Sequence, residues 1–150
     1  MSDNWIVFIP ENPRVRPDVA RQKKAESRFA ELPPEADEIT CTSSDEVRFF
    51  DCGGNFERIV CPSCGSEVAI EWWQDRMDED FDNGFKLSQY ALPCCHVKCS
   101  LHDLASEWPQ GFGQFSLEAM NPNLGELKDE YRKEFEEILG TPLRVIYRHV

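Results

Sequence analysis

The sequence predicts an α+β fold, a sheet built from two β-α-β halves with a cysteine-rich segment inserted between them. Three observations carry this. Apolar, β-branched and aromatic runs stand at residues 5–9 and 143–147, near the two ends. Each run adjoins a stretch with apolar residues at helical spacing. Five of the seven cysteines, Cys61, Cys64, Cys94, Cys95 and Cys99, fall in the middle. At 150 residues the length fits one α+β domain over 1–150, with a metal-binding insert at about 52–108.

Taken in order, Trp5, Ile6, Val7, Phe8 and Ile9 form an unbroken apolar run stopped by Pro10, which reads as a buried strand. Pro17 suits the first turn of a helix, Val19, Ala25, Phe29 and Leu32 give it a modest apolar stripe, and Pro33-Pro34 stop it. Residues 38–41 and 47–50 predict two short strands around a turn at Ser43-Ser44-Asp45. Gly53-Gly54-Asn55 is a turn. Val68, Ile70 and Trp72 alternate with polar neighbours, so 67–73 predicts a strand leaving the first cysteine pair. Residues 75–84 are acidic, and 86–92 fit helix or strand equally. Leu101, Leu104 and Ala105 predict a helix over 100–108 ended by Pro109, and residues 114–119 a strand. The strongest periodicity comes late: Leu124, Leu127, Tyr131, Phe135, Ile138 and Leu139 predict a helix capped by Gly140. A last strand follows at 143–147. No internal repeat at a fixed period is visible. The order of elements suggests a ferredoxin-like sheet.

Cys61-Pro62-Ser63-Cys64-Gly65 places two cysteines where both sulfurs reach one metal, with Pro62 stiffening the entry and Gly65 permitting a positive φ. Leu92-Pro93-Cys94-Cys95-His96-Val97-Lys98-Cys99 supplies further ligands. The first motif resembles the zinc knuckle of zinc-ribbon and rubredoxin-like proteins, and the resemblance implies a structural Zn2+. The second half departs from that pattern. Cys95 with Cys99, Cys94 with Cys95, or His96 in place of either would complete a tetrahedral set. A redox disulfide between Cys61 and Cys64, a catalytic zinc and an iron–sulfur centre use the same residues. Against the first, no helix begins at Cys61 to depress its pKa. Against the second, cysteines are in surplus, which favours a closed shell. The spacing does not separate zinc from iron–sulfur. Cys41 and Cys52 lie outside both groups and read as thiols that pack.

Sixteen Lys and Arg against twenty-eight Asp and Glu give a formal charge of −12, which disfavours general binding to nucleic-acid backbones. Residues 5–9 are too short for a signal-peptide core and no basic segment precedes them, no stretch is long and apolar enough to span a membrane, and so a cytoplasmic location with reduced thiols is expected. Glu67, Glu71, Asp75, Asp78, Glu79, Asp80 and Asp82 crowd into 67–82 with Arg76 as the one base. A solvated face is the ordinary meaning of such a run. The sharper reading is a partner-binding face, centred on Asp78, Glu79, Asp80 and Asp82, for a basic protein. In size and charge the chain resembles small acidic immunity proteins, which implies a noncatalytic inhibitor. No phosphate loop or nucleophile elbow is present, His102 and His149 are isolated, and no catalytic residue is assigned. Two other classes stay open. One is a small zinc-dependent enzyme. The other is a zinc-ribbon module touching nucleic acid through Arg14, Arg16, Arg21, Lys23 and Lys24.

Overall fold

Strand β1 (Asn4–Pro10) is followed by helix α1 (Val19–Ala30) and the long strand β2 (Glu38–Phe50). After a wide excursion, β8 (Gly111–Met120), α3 (Asp129–Leu139) and β9 (Leu143–His149) complete the second half. The structure is a computed structural model that describes residues 3–33 and 36–150. Pro34, part of the expected helix stop, lies outside them. The four long strands form one antiparallel sheet in the order β2-β8-β1-β9. That is the ferredoxin-like arrangement of two interleaved β-α-β halves, and the fold is α+β as the sequence predicts.

The alternation of a strand explains why 5–9 is apolar throughout. Ile6 and Phe8 face α1 and α3 in a core with Phe29, Phe115, Leu117, Phe135 and Leu139. Val7 and Ile9 face the opposite way, against Phe50, Cys52 and Ile146. On the helical side the rings of Phe8, Phe29 and Phe135 lie 5.0–5.9 Å apart, close enough for favourable tilted packing. Asp18 caps α1 by accepting the Arg21 N–H, and Gly140 ends α3 in the left-handed conformation.

Three expected elements differ. The turn at 43–45 is an irregularity inside one strand, where the pairing with β8 shifts between Ser43 and Arg48. The Gln114 side-chain amide donates to the carbonyls of Ser44 and Asp45 there, which satisfies the groups the ladder leaves unpaired. The expected strand over 67–73 is only Glu67–Val68 (β4), after which helix α2 (Ile70–Asp82) takes over. Ile70, Trp73 and Met77 recur at helical spacing, and burial of Trp73 and Met77 against Phe49 and Phe112 decides between that period and the alternation of Val68, Ile70 and Trp72. The expected helix over 100–108 is a single 3-10 turn, Leu101–Asp103, then a short strand, Ala105–Ser106. Asp103 closes that turn by accepting from the Ser100 N–H and hydroxyl.

The excursion between β2 and β8 covers the sheet face that the helices leave open. Val47, Leu101 and Phe112 form its buried centre, with Phe49, Trp73, Phe85 and Leu104 around them. His102 latches it to the sheet: Nδ1 accepts from the Phe112 N–H at 2.9 Å, which leaves Nε2–H to donate to the Glu11 carbonyl at 2.7 Å. Arg144 on β9 pairs with Glu11 and donates to the carbonyls of His102 and Gln110. A Cβ at Gly111 would stand 2.6 Å from the Arg144 guanidinium and 3.0 Å from the His102 ring, so a larger residue there would have to push this latch aside.

Candidate metal centre

Two hairpins build the centre. In the first, β3 (Ile59–Val60) pairs with β4, and the turn between them holds Cys61 and Cys64. In the second, β5 (Tyr90–Ala91) pairs with β6 (Lys98–Cys99), and its turn holds Cys94 and Cys95. Strand β7 (Ala105–Ser106) returns to pair with β3, tying the second hairpin's exit to the first. Strands of two residues bring little stability of their own, so side-chain contacts must hold these turns together.

The sulfurs of Cys61, Cys64, Cys94 and Cys95 lie within 4.8 Å of one another. Cys61 and Cys95 are 3.6 Å apart and Cys94 and Cys95 3.9 Å, sulfur to sulfur. All seven cysteines are free thiols. Four sulfurs around a tetrahedral zinc at about 2.3 Å stand roughly 3.8 Å from one another, so the four residues fit such an ion. These cysteines can hold a metal, and among the described residues they are the group placed to do so.

The backbone prepares the sulfurs for negative charge. The N–H groups of Ser63 and Cys64 point at the Cys61 sulfur at 3.4 and 3.5 Å. Those contacts, the Cys64 N–H first, draw the Cys61 thiol below its ordinary pKa. Cys64 is pulled to about 6 by the Ser66 hydroxyl, the Ser66 N–H and Cys94. Cys94 is pushed up to about 12 by desolvation of its sulfur and then by the neighbouring thiols. Cys95 has the Val97 N–H beside it, yet desolvation and the sulfurs of Cys61 and Cys64 raise it overall. Four thiolates this close would repel one another, and a divalent cation held among them would remove that repulsion and displace the protons the thiols retain.

Cys99, the fifth candidate ligand, lies outside the group. It sits on β6 with its side chain turned inward beside Cys61 and Leu92, and it is buried. His96 occupies the second turn with φ +62° and is not part of the sulfur group. Cys52 is buried and Cys41 half-buried, and burial first of all raises both thiols, in keeping with packing.

The acidic run lies on α2. Glu71, Asp75, Asp78, Glu79 and Asp82 are exposed, and Arg76 pairs with Glu79. Asp80 has to be removed from the expected face. It is fully buried, and its carboxylate accepts from the N–H groups of Leu87 and Ser88 and from the Tyr90 hydroxyl. Position 80 falls on the inner side of α2 with Trp73 and Met77, and there the carboxylate fixes the loop that leads into β5. The sequence signals this only through helical spacing, once 70–82 is known to be helix. The basic residues proposed for nucleic acid are partly engaged: Arg16 pairs with Asp45, Arg14 donates to the Lys86 carbonyl, and Arg21 donates to the Ile138 carbonyl at the end of α3.

Fold and site together define an α+β protein in which an insertion in a ferredoxin-like sheet brings together four cysteines that could hold a metal ion. No protein-family model, curated protein or solved structure matches the chain. Among the described residues no helix is long and apolar enough to cross a membrane.

Proposed function

We propose that the chain is a zinc-stabilised, noncatalytic protein-binding domain of the inhibitor or immunity type, working in the cytoplasm, whose α2 presents an acidic face to a basic protein. Zinc would be held by Cys61, Cys64, Cys94 and Cys95 and would cross-link two hairpins that have little other support. A shell of four thiolates leaves no open position for a substrate, which speaks for a structural metal.

The observation that carries the binding reading is the charge on α2. Its outer face bears Glu71, Asp75, Asp78, Glu79 and Asp82, and its last turn contains no base. Carboxylates at a helix C-terminus oppose the helix dipole, so this arrangement works against the helix that carries it. A local conflict of this kind is expected at functional surfaces, and a basic partner would relieve it.

The test reverses Asp75, Asp78 and Asp82 to lysine and spares Glu79, which is paired with Arg76. Immobilised wild type should retain a basic protein from native lysate and release it with salt, while the reversed protein retains none and melts no lower. Equal retention by both proteins would overturn the acidic-face reading.

A further inference from the structure

Resting on the zinc reading, we propose that the two hairpins are copies of one metal-binding unit. In the second copy Leu92 stands at the first ligand position, and Cys94 is the displaced ligand that replaces it.

The equivalence is geometric. Ile59–Val60 corresponds to Tyr90–Ala91, Cys61 to Leu92, Pro62 to Pro93, Ser63 to Cys94, Cys64 to Cys95 and Gly65 to His96. The strand registers agree, Ile59 with Val68 and Val60 with Glu67 in one, Tyr90 with Cys99 and Ala91 with Lys98 in the other. So do the bonds that close the turns. Cys61 N–H donates to the Ser66 carbonyl at 2.8 Å, and Gly65 N–H to the Cys61 carbonyl at 3.0 Å. Leu92 N–H donates to the Val97 carbonyl and His96 N–H to the Leu92 carbonyl, both at 2.9 Å. Gly65 has φ +75° and His96 +62°. A histidine in the left-handed region is uncommon, so the second turn keeps the shape of the first without the residue best suited to it.

This equivalence explains the ligand set. Cys64 and Cys95 occupy the same place and both approach the centre. Cys61 and Leu92 also occupy the same place, and both are buried in one cluster with Trp72 and Leu104. Leucine cannot bind a metal, so the second turn supplies its other sulfur from two residues further on, Cys94. Cys99 corresponds to Val68, an inward-facing strand residue, and for that reason takes no part.

Cobalt substitution tests the proposal, because sulfur-to-cobalt charge-transfer absorbance scales with the number of thiolates bound. Wild type and Cys99→Ser should give four-thiolate spectra. Cys94→Ser should lose about a quarter of the charge-transfer intensity, one sulfur of four. The double variant Leu92→Cys/Cys94→Ser should recover it. Leu92→Ala/Cys94→Ser removes comparable core volume without offering a sulfur and should stay at the three-thiolate level. A double cysteine variant that resembles the alanine control, or fails to take up cobalt, would overturn the proposal while leaving the zinc centre standing. Wild type without a thiolate spectrum would remove both.

Discussion

The two faces of the sheet are closed by different means. On one, α1 and α3 lay Phe29, Phe135 and Leu139 onto Phe8, Phe115 and Leu117, and large apolar side chains meet over long elements. On the other, the segment from 51 to 110 has regular strands of only two residues, one helix of 13 residues and a few buried apolar side chains. It is fastened by polar latches at Asp80 and His102 and by the cysteine cluster. Apolar area holds the first face. The second depends on a small number of specific contacts, so it should fail piecemeal where the first fails as a unit.

If zinc is held as proposed, its removal should have the largest effect. Structural zinc in small folds contributes on the order of 10–16 kcal/mol of apparent binding free energy, more than a typical domain's entire stability. Cys61→Ser, or strong chelation, should therefore abolish hydrogen-exchange protection in β3 to β7 while amides of β1, β8 and β9 stay protected. Cys41→Ser, outside the cluster, should leave both regions intact. Simultaneous loss of protection in sheet and insertion would break the contrast between the two faces.

Phe135→Ala probes the opposite face. Removing a buried phenylalanine typically costs about 3–5 kcal/mol, and the loss should appear in denaturant unfolding with zinc content unchanged. A variant that sheds its metal at low denaturant would mean that the two faces are coupled.

Asp80→Ala should cost about 1–3 kcal/mol, the usual penalty when buried donors lose their acceptor. The loss should concentrate in residues 85–91 and be measurable as faster exchange of the Leu87 and Ser88 amides. A uniform loss across the sheet would contradict the assignment of Asp80 as a local clamp.

The smallest effect is a pH dependence at His102. Burial, then the Arg144 guanidinium, lowers its pKa, against the opposing pull of Glu11 and Asp103. The folded ring stays neutral where the unfolded one takes a proton. The unfolded chain therefore binds more protons below an ordinary imidazole pKa of about 6.5, and the latch's contribution, complete above that pH, is lost as pH falls. His102→Gln should flatten the melting temperature between pH 7 and about 5.5 relative to wild type. An unchanged slope would remove His102 as the source of the acid sensitivity and turn attention to the cysteines, which would gain protons if bound zinc were released.

The long elements are legible in the sequence because each is specified by its own residues. The apolar run 5–9, the stripe from Tyr131 to Leu139 and the glycine at 140 state strand, helix and cap locally, although Leu124 and Leu127 of the expected stripe precede the helix, and their order is enough to suggest the ferredoxin-like sheet. The pairing of a first cysteine motif with a later one is legible too, since ligand chemistry restricts which residues can take part.

Other features require the third dimension. Residues 67–73 satisfy both a strand and a helix period, and only the surface offered by Phe49 and Phe112 selects the helix. Once it forms, Asp80 turns inward and its neighbours outward, a division that the order of carboxylates along the chain does not contain. The repeat of the two hairpins is carried by backbone hydrogen bonds and φ angles, while their residues agree at little more than Pro62 with Pro93 and Cys64 with Cys95. Composition and spacing thus pointed to a cysteine cluster able to hold a metal in an α+β chain. Which sulfurs come together was decided by the tertiary structure, because a strand's alternation sends Cys99 inward and the turn brings Cys94 beside Cys61, Cys64 and Cys95.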